Sequence, residues 1–209
     1  MADTKISLLT ATTAMADANE FAINEAGTSK KLTGTLVKQW AGNVLRNQSV
    51  ANQAPGAGAT TYLTNSNIAV PVGKLRAGTV FRWTLIFTKT AAGTAARSHL
   101  IKVGTAGTTA DATIATLTSG TPTAAVDTGI QVITFIVRTI GASATSHGAS
   151  FASHQLSTTG LFPNETEVLQ GAGTAFDSTV ANLIVGLAVT AGASEALTYQ
   201  QIIAEAYNL

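Results

Sequence analysis

The chain has 209 residues and a formal net charge of +1, enough for one sizeable β-domain with an appendage or for two small domains. Only 11% of its residues are charged, so it lacks both the broad basic footprint of a nucleic-acid binder and the high net charge of a disordered chain. The lack of Cys excludes disulfides and thiolate metal sites. No stretch approaches the ~20 apolar residues of a membrane span, and Met1-Ala2-Asp3-Thr4-Lys5 does not open a secretory signal. Abundant Gly, Ala and Thr with few charges fit a folded domain whose surface is largely covered by neighbours, because charged residues are depleted at interface cores.

Residues 1–54 differ from the rest. Phe21-Ala22-Ile23 reads as a short strand, Glu25-Ala26-Gly27 as a turn and Lys30-Lys31-Leu32-Thr33 as the returning strand of a hairpin. Thr33 or Thr35 is placed to cap a helix carrying Leu36, Val37, Trp40, Val44 and Leu45 on one face. Hairpin and helix are too small to be secure alone and need an apolar partner. Gln53-Ala54-Pro55-Gly56-Ala57-Gly58-Ala59 lacks periodicity and reads as a linker, which puts the domain boundary near residue 55.

Beyond it the pattern is all β. Short strands are expected at Thr61–Thr64 and Ile68–Val70, with a turn at Pro71 to Gly73. Thr79–Phe87 is a long alternating strand: Phe81, Trp83, Leu85 and Phe87 take the core face, and Val80, Arg82, Thr84 and Ile86 the other. Further strands are expected at His99–Val103, Ile114–Leu117, Gly129–Arg138, Leu183–Val189 and Leu197–Ala204, with weaker ones at Ser150–Ala152 and Glu167–Leu169. Roughly eight to ten strands without an intervening helix predict a mainly β fold over residues 55–209, a jelly-roll-like antiparallel sandwich.

Familiar catalytic constellations do not assemble. The three histidines, His99, His147 and His154, lack the compact spacing and extra ligands of a zinc site. The carboxylates Asp111, Asp127, Glu165, Glu167, Asp177, Glu195 and Glu205 are scattered, where a glycosidase needs a facing pair. Asp127-Thr128-Gly129 matches the aspartic-protease triplet in a single copy and reads better as a turn before a strand. Gly104-Thr105-Ala106-Gly107 and Gly171-Ala172-Gly173 have no phosphate-loop continuation and read as hairpin loops. Lys30-Lys31 is too short for a nucleic-acid patch; Lys74, Arg76, Arg82 and Arg138 are dispersed and suit at most an anionic sugar or a partner surface. The sequence therefore points to no enzyme, no metal and no cofactor.

One pattern carries a resemblance. Lys5-Ile6-Ser7-Leu8-Leu9-Thr10, a Thr/Ala stretch, Asp17-Ala18-Asn19-Glu20-Phe21 and Gly27-Thr28-Ser29-Lys30-Lys31-Leu32-Thr33 follow one another. This order resembles the N-terminal segment of tailed-bacteriophage fibre and virion structural proteins, in which it precedes a variable distal domain. The resemblance covers residues 3 to 45. The distal words Ala92-Gly93-Thr94-Ala95-Ala96, Val103 to Asp111 and Leu183-Ile184-Val185-Gly186 also look like phage-associated domains. The chain lacks a fibre's shaft repeats and the length of a glycan-cleaving tailspike.

The resemblance implies a virion location. Residues 1–54 would anchor to other virion proteins (tail adaptor, neck or capsid), and the β-domain would project as a short appendage, most simply a homotrimer. Ile6, Leu8, Leu9, Phe21, Ile23, Leu32, Val37 and Trp40 would supply the anchor's contacts, or else a small core against the chain's own sandwich. A capsid decoration, or cement, protein is the alternative of the same physics. A carbohydrate-binding module for a host surface glycan is the alternative of another class. For it Tyr199 and Tyr207 are the least constrained stacking residues; Tyr62 is a further candidate, and Trp83 belongs with the core by its alternation.

Overall fold

A computed structural model of the chain describes residues 20–25, 28–33, 44–89, 93–154, 160–161 and 166–209. The chain falls into two compact units, Met1–Asn43 and Val44–Leu209. In the first, β1 (Glu20–Glu25) and β2 (Thr28–Thr33) form the expected hairpin, antiparallel and in register from Glu20↔Thr33 to Glu25↔Thr28. Residues 34–43, where most of the expected helix falls, lie outside the described residues. Its last two apolar positions are corrected. Val44 and Leu45 open strand β3 (Val44–Ser49), which pairs antiparallel with the last strand. The gain from closing a sheet edge overrides the helical spacing, a weak prior.

That pairing also moves the expected boundary at residue 55. β3 belongs to the sandwich, and the supposed linker is a loop within it: Gln53 and Tyr199 exchange backbone hydrogen bonds of 2.9 and 2.8 Å. The second unit therefore starts at Val44.

The remaining strands are β4 (Thr60–Tyr62), β5 (Ile68–Ala69), β6 (Val80–Lys89), β7 (Ser98–Gly104), β8 (Ala112–Thr118), β9 (Asp127–Val137), β10 (Ser146–His154), β11 (Thr166–Ala172), β12 (Ile184–Thr190) and β13 (Leu197–Tyr207). They build a six-stranded sheet of order β11-β10-β9-β6-β13-β3 and a second sheet of order β4-β12-β7-β8, with β5 also on β12. The pairing is nested. β3 pairs β13, β4 and β5 pair β12, β6 pairs β9, and β7 pairs β8, all antiparallel. A long hairpin folded over itself gives this order, so the unit is a jelly-roll-like sandwich. The β10–β11 hairpin widens one edge of the larger sheet.

Strand alternation sets the core. Phe81, Trp83, Leu85 and Phe87 are fully buried, as their spacing requires. They meet Ile133, Phe135 and Val137 of β9, and Ile101, Val185 and Leu187 belong to the same core cluster from the opposite sheet. The Phe81 ring lies 6.4 Å from that of Trp83 and 6.0 Å from that of Phe135. On β13 the register shifts between Tyr199 and Gln201. This bulge lets both Tyr199 and Ile202 face inward, which unbroken alternation forbids. Among the described residues no helix is long and apolar enough to cross a membrane.

Candidate functional sites

A cleft on the smaller sheet's side holds about 510 Å³. Strand β4 contributes Thr60, Thr61 and Tyr62, and the turn after it Thr64, Asn65 and Asn67. Gly107, Thr108 and Thr109 come from the β7–β8 loop. Both walls are pinned from beneath. The buried carboxylate of Asp111 accepts the backbone N–H groups of Ala106 (3.0 Å), Gly107 (2.7 Å) and Thr108 (3.3 Å). The Lys102 ammonium donates to the carbonyls of Thr109 and Asp111 at 3.0 and 2.8 Å. Gly107 has φ +65° and Asn65 φ 60°, the left-handed turns these residue types tolerate. On the facing wall Gln53 exchanges 2.7 and 3.1 Å bonds with the backbone of Thr64, and Asn47 donates to the Asn67 carbonyl at 2.8 Å.

The lining residues carry no ionisable group except the Tyr62 phenol. That hydroxyl is buried without a hydrogen-bond partner among the described residues, over Gly186, where a Cβ would collide with it. Burial, with a smaller contribution from Asp111, pushes its pKa up to about 12. The cleft thus offers neutral hydroxyls, amides and one aromatic ring, which suits a neutral hydroxyl-rich ligand.

The second cluster of polar groups is structural. The Arg97 guanidinium donates to Glu195 at 2.9 Å, both side chains being wholly buried, and lies 4.9 Å from the Phe87 ring centroid. Glu195 also accepts the Gly192 N–H at 3.0 Å. Nearby, His99 Nε2 and the Tyr199 hydroxyl share a 2.9 Å hydrogen bond. Burial, and then the Arg97 charge, pull the His99 pKa down to about 3, so the imidazole is neutral; burial raises that of Tyr199. Asp127 accepts the backbone N–H of Leu161 at 2.9 Å and that of Thr128 at 2.9 Å, holding a loop at the start of β9. Lys89 donates to the carbonyls of Thr123 and Ala125. Each charge secures backbone or another charge, which is how buried ions are retained.

Several expected site residues move. Tyr199 is corrected: it is 0% exposed and cannot stack on a sugar. Tyr207 is half-buried, and its hydroxyl donates to Glu205, which also pairs with Arg46 at 2.9 Å. It lies on the larger sheet, whereas the cleft is built on β4 and the β7–β8 loop. Of the tyrosines considered, only Tyr62 lines the cleft. Trp83 is a core residue, donating its indole N–H to the Ser66 carbonyl at 2.7 Å. Phe21, Ile23 and Leu32 fall in the β1–β2 hairpin, with Phe21↔Leu32 and Ile23↔Lys30 in register. Ile6, Leu8, Leu9, Val37 and Trp40 lie outside the described residues. His147 and His154 share β10, while His99 sits on β7; among the described residues no three His, Asp or Glu converge on a metal-sized site.

No family model matches this sequence, and no curated protein matches it.

Proposed function

We propose that this chain is a structural protein of a tailed-phage virion, a short appendage held by its N-terminal segment and presenting its jelly roll outward. One observation carries the reading. The phage-like words run from Lys5 to Thr33, in a resemblance that covers roughly residues 3 to 45, and the chain's own contacts divide it between Asn43 and Val44. The boundary drawn from packing thus leaves all of those words in the first unit. The segment with the virion-like pattern forms one compact unit, and the domain free to vary is a closed sandwich. Homotrimeric assembly and a virion location belong to the same proposal, and capsid decoration is its nearest alternative.

A receptor-binding role for the jelly roll is the second reading. The neutral cleft around Tyr62, with one wall pinned by the buried Asp111 and Lys102 and the other by Gln53 and Asn47, favours it. The test of the main proposal is incorporation into particles. Full-length chain supplied to a phage lacking it should co-purify with particles, and chain without residues 1–43 should stay soluble and folded but unincorporated. Incorporation of the shortened chain at full level would refute anchoring by that segment.

A further inference from the structure

The cleft beside Tyr62 has a narrower chemistry than its size requires. Its volume of about 510 Å³ lies within the usual range of small-ligand pockets, about 300–1,000 Å³. Among the described residues only Thr, Asn, Gly and Tyr line it, so no aliphatic side chain offers a peptide or a lipid an apolar pocket. Anions fare no better. Ala106, Gly107 and Thr108 present three successive backbone N–H groups, curled by the left-handed Gly107, which is an arrangement that captures phosphates and carboxylates. The chain's own Asp111 already fills it, accepting all three. The neighbouring Lys102 ammonium is engaged by the carbonyls of Thr109 and Asp111, and among the described residues no Lys or Arg lines the cleft.

What the cleft leaves open points to one class of ligand. The Tyr62 ring is half-buried, and its hydroxyl end sits over Gly186, where the missing Cβ lets the ring tip pass close to β12. That fixes an aromatic ring beside the hydroxyls of Thr61, Thr64 and Thr109 and the side-chain amide of Asn67. Among the described residues those three hydroxyls and the Asn67 N–H groups have no hydrogen-bond partner. A pyranose has both complements. C–H groups on its ring face pack on an aromatic ring, and hydroxyls round its edge exchange hydrogen bonds with hydroxyls and amides. We propose that this cleft is a binding site for an uncharged glycan, with Tyr62 as its stacking platform, Asn67 beside it and Thr109 on the opposite wall. The proposal rests on the jelly roll's reading as a receptor-binding domain, and it moves the sugar contact from Tyr199 and Tyr207 to Tyr62.

The full chain is applied to a printed array of uncharged and acidic oligosaccharides, and the strongest uncharged hit is titrated by calorimetry into the wild type and three variants. Binding to uncharged oligosaccharides in preference to acidic ones is expected. Tyr62→Phe keeps the ring and removes only the buried hydroxyl, so its affinity should stay within about two-fold. Tyr62→Leu removes the ring, and Thr109→Arg crowds the opposite wall; each should weaken binding at least about ten-fold, as loss of an anchoring contact does. Thermal melting shows that each variant is folded. Should Tyr62→Leu unfold, Thr109→Arg decides, because it alters an exposed loop position. Failure of every uncharged oligosaccharide to bind overturns the proposal, as does a preference for acidic ones or unchanged affinity in folded Thr109→Arg. Adsorption of the labelled chain to a panel of bacterial strains tests the receptor role separately. Adsorption without any uncharged-glycan binding keeps the receptor role and overturns the cleft assignment. Glycan binding that Thr109→Arg abolishes, without adsorption to any strain, upholds the cleft and overturns the receptor role.

Discussion

Replacing Glu195 by Gln should destabilise the sandwich more than almost any other isosteric change. The amide keeps the shape and can still accept the Gly192 N–H, but it removes the charge 2.9 Å from Arg97 in a place neither side chain shares with water. Two unit charges about 4 Å apart interact by about 4 kcal/mol at an effective dielectric constant of about 20. Breaking a buried pair typically costs about 3–5 kcal/mol, since the remaining ion stays desolvated. For a unit spanning Val44–Leu209, each kcal/mol moves the melting temperature by about 2–4 °C, so a drop of about 10 °C is expected. Arg97→Met with Glu195→Leu should recover most of it, because the pair is then removed together. Melting followed by circular dichroism, with urea titration for the free energy, gives all three values. A loss below about 1 kcal/mol for Glu195→Gln, or a double variant as unstable as the two singles combined, would refute the reasoning.

Three further outcomes are expected. The folded state holds His99 neutral with a pKa of about 3, whereas the unfolded chain titrates near 6.5. Its stabilising effect is complete above that value and is lost as pH falls from 6.5 towards 3, by up to about 1.4 kcal/mol per pH unit; urea titrations across pH 4–7 should show a shallower slope in His99→Gln. Ser66→Ala should cost about 2–3 kcal/mol by equilibrium unfolding, because the Ser66 hydroxyl both donates to the Leu187 carbonyl and accepts its N–H at 3.0 Å inside the core. Gly186→Ala should cost about 1–3 kcal/mol by forcing the Tyr62 hydroxyl aside, and Tyr62→Phe should be close to neutral alone and relieve part of that cost, so a double-mutant cycle that comes out additive would contradict the contact.

The sheets were readable because their signal is local. Phe81 to Phe87 alternates without a break, and the apolar runs at 129–138 and 183–189 are bounded by turn residues, so strand positions and core faces follow from period alone. What period cannot supply is the partner. Val44 and Leu45 carry a helix-compatible spacing, and only their pairing with β13, remote in sequence, makes them a strand. Tyr199 looked free for a ligand because the bulge beside Gln200 that turns it inward leaves no mark in composition. The cleft was hidden for a related reason. Its threonines and asparagines are ordinary loop residues one by one, and the loop from β7 to β8 faces the turn after β4 only once β12 has brought both strands into one sheet. Asp111 and Lys102 held the available clue, charged residues in a chain with few, spent on holding a loop.

The reading as a virion appendage is tested most directly by counting this chain in purified particles, by quantitative mass spectrometry against the major capsid protein. The account predicts a fixed low number per particle, a few copies to a few dozen in multiples of three. Parity with the capsid protein would assign the chain to decoration of the shell instead, and its complete absence from particles would contradict the account.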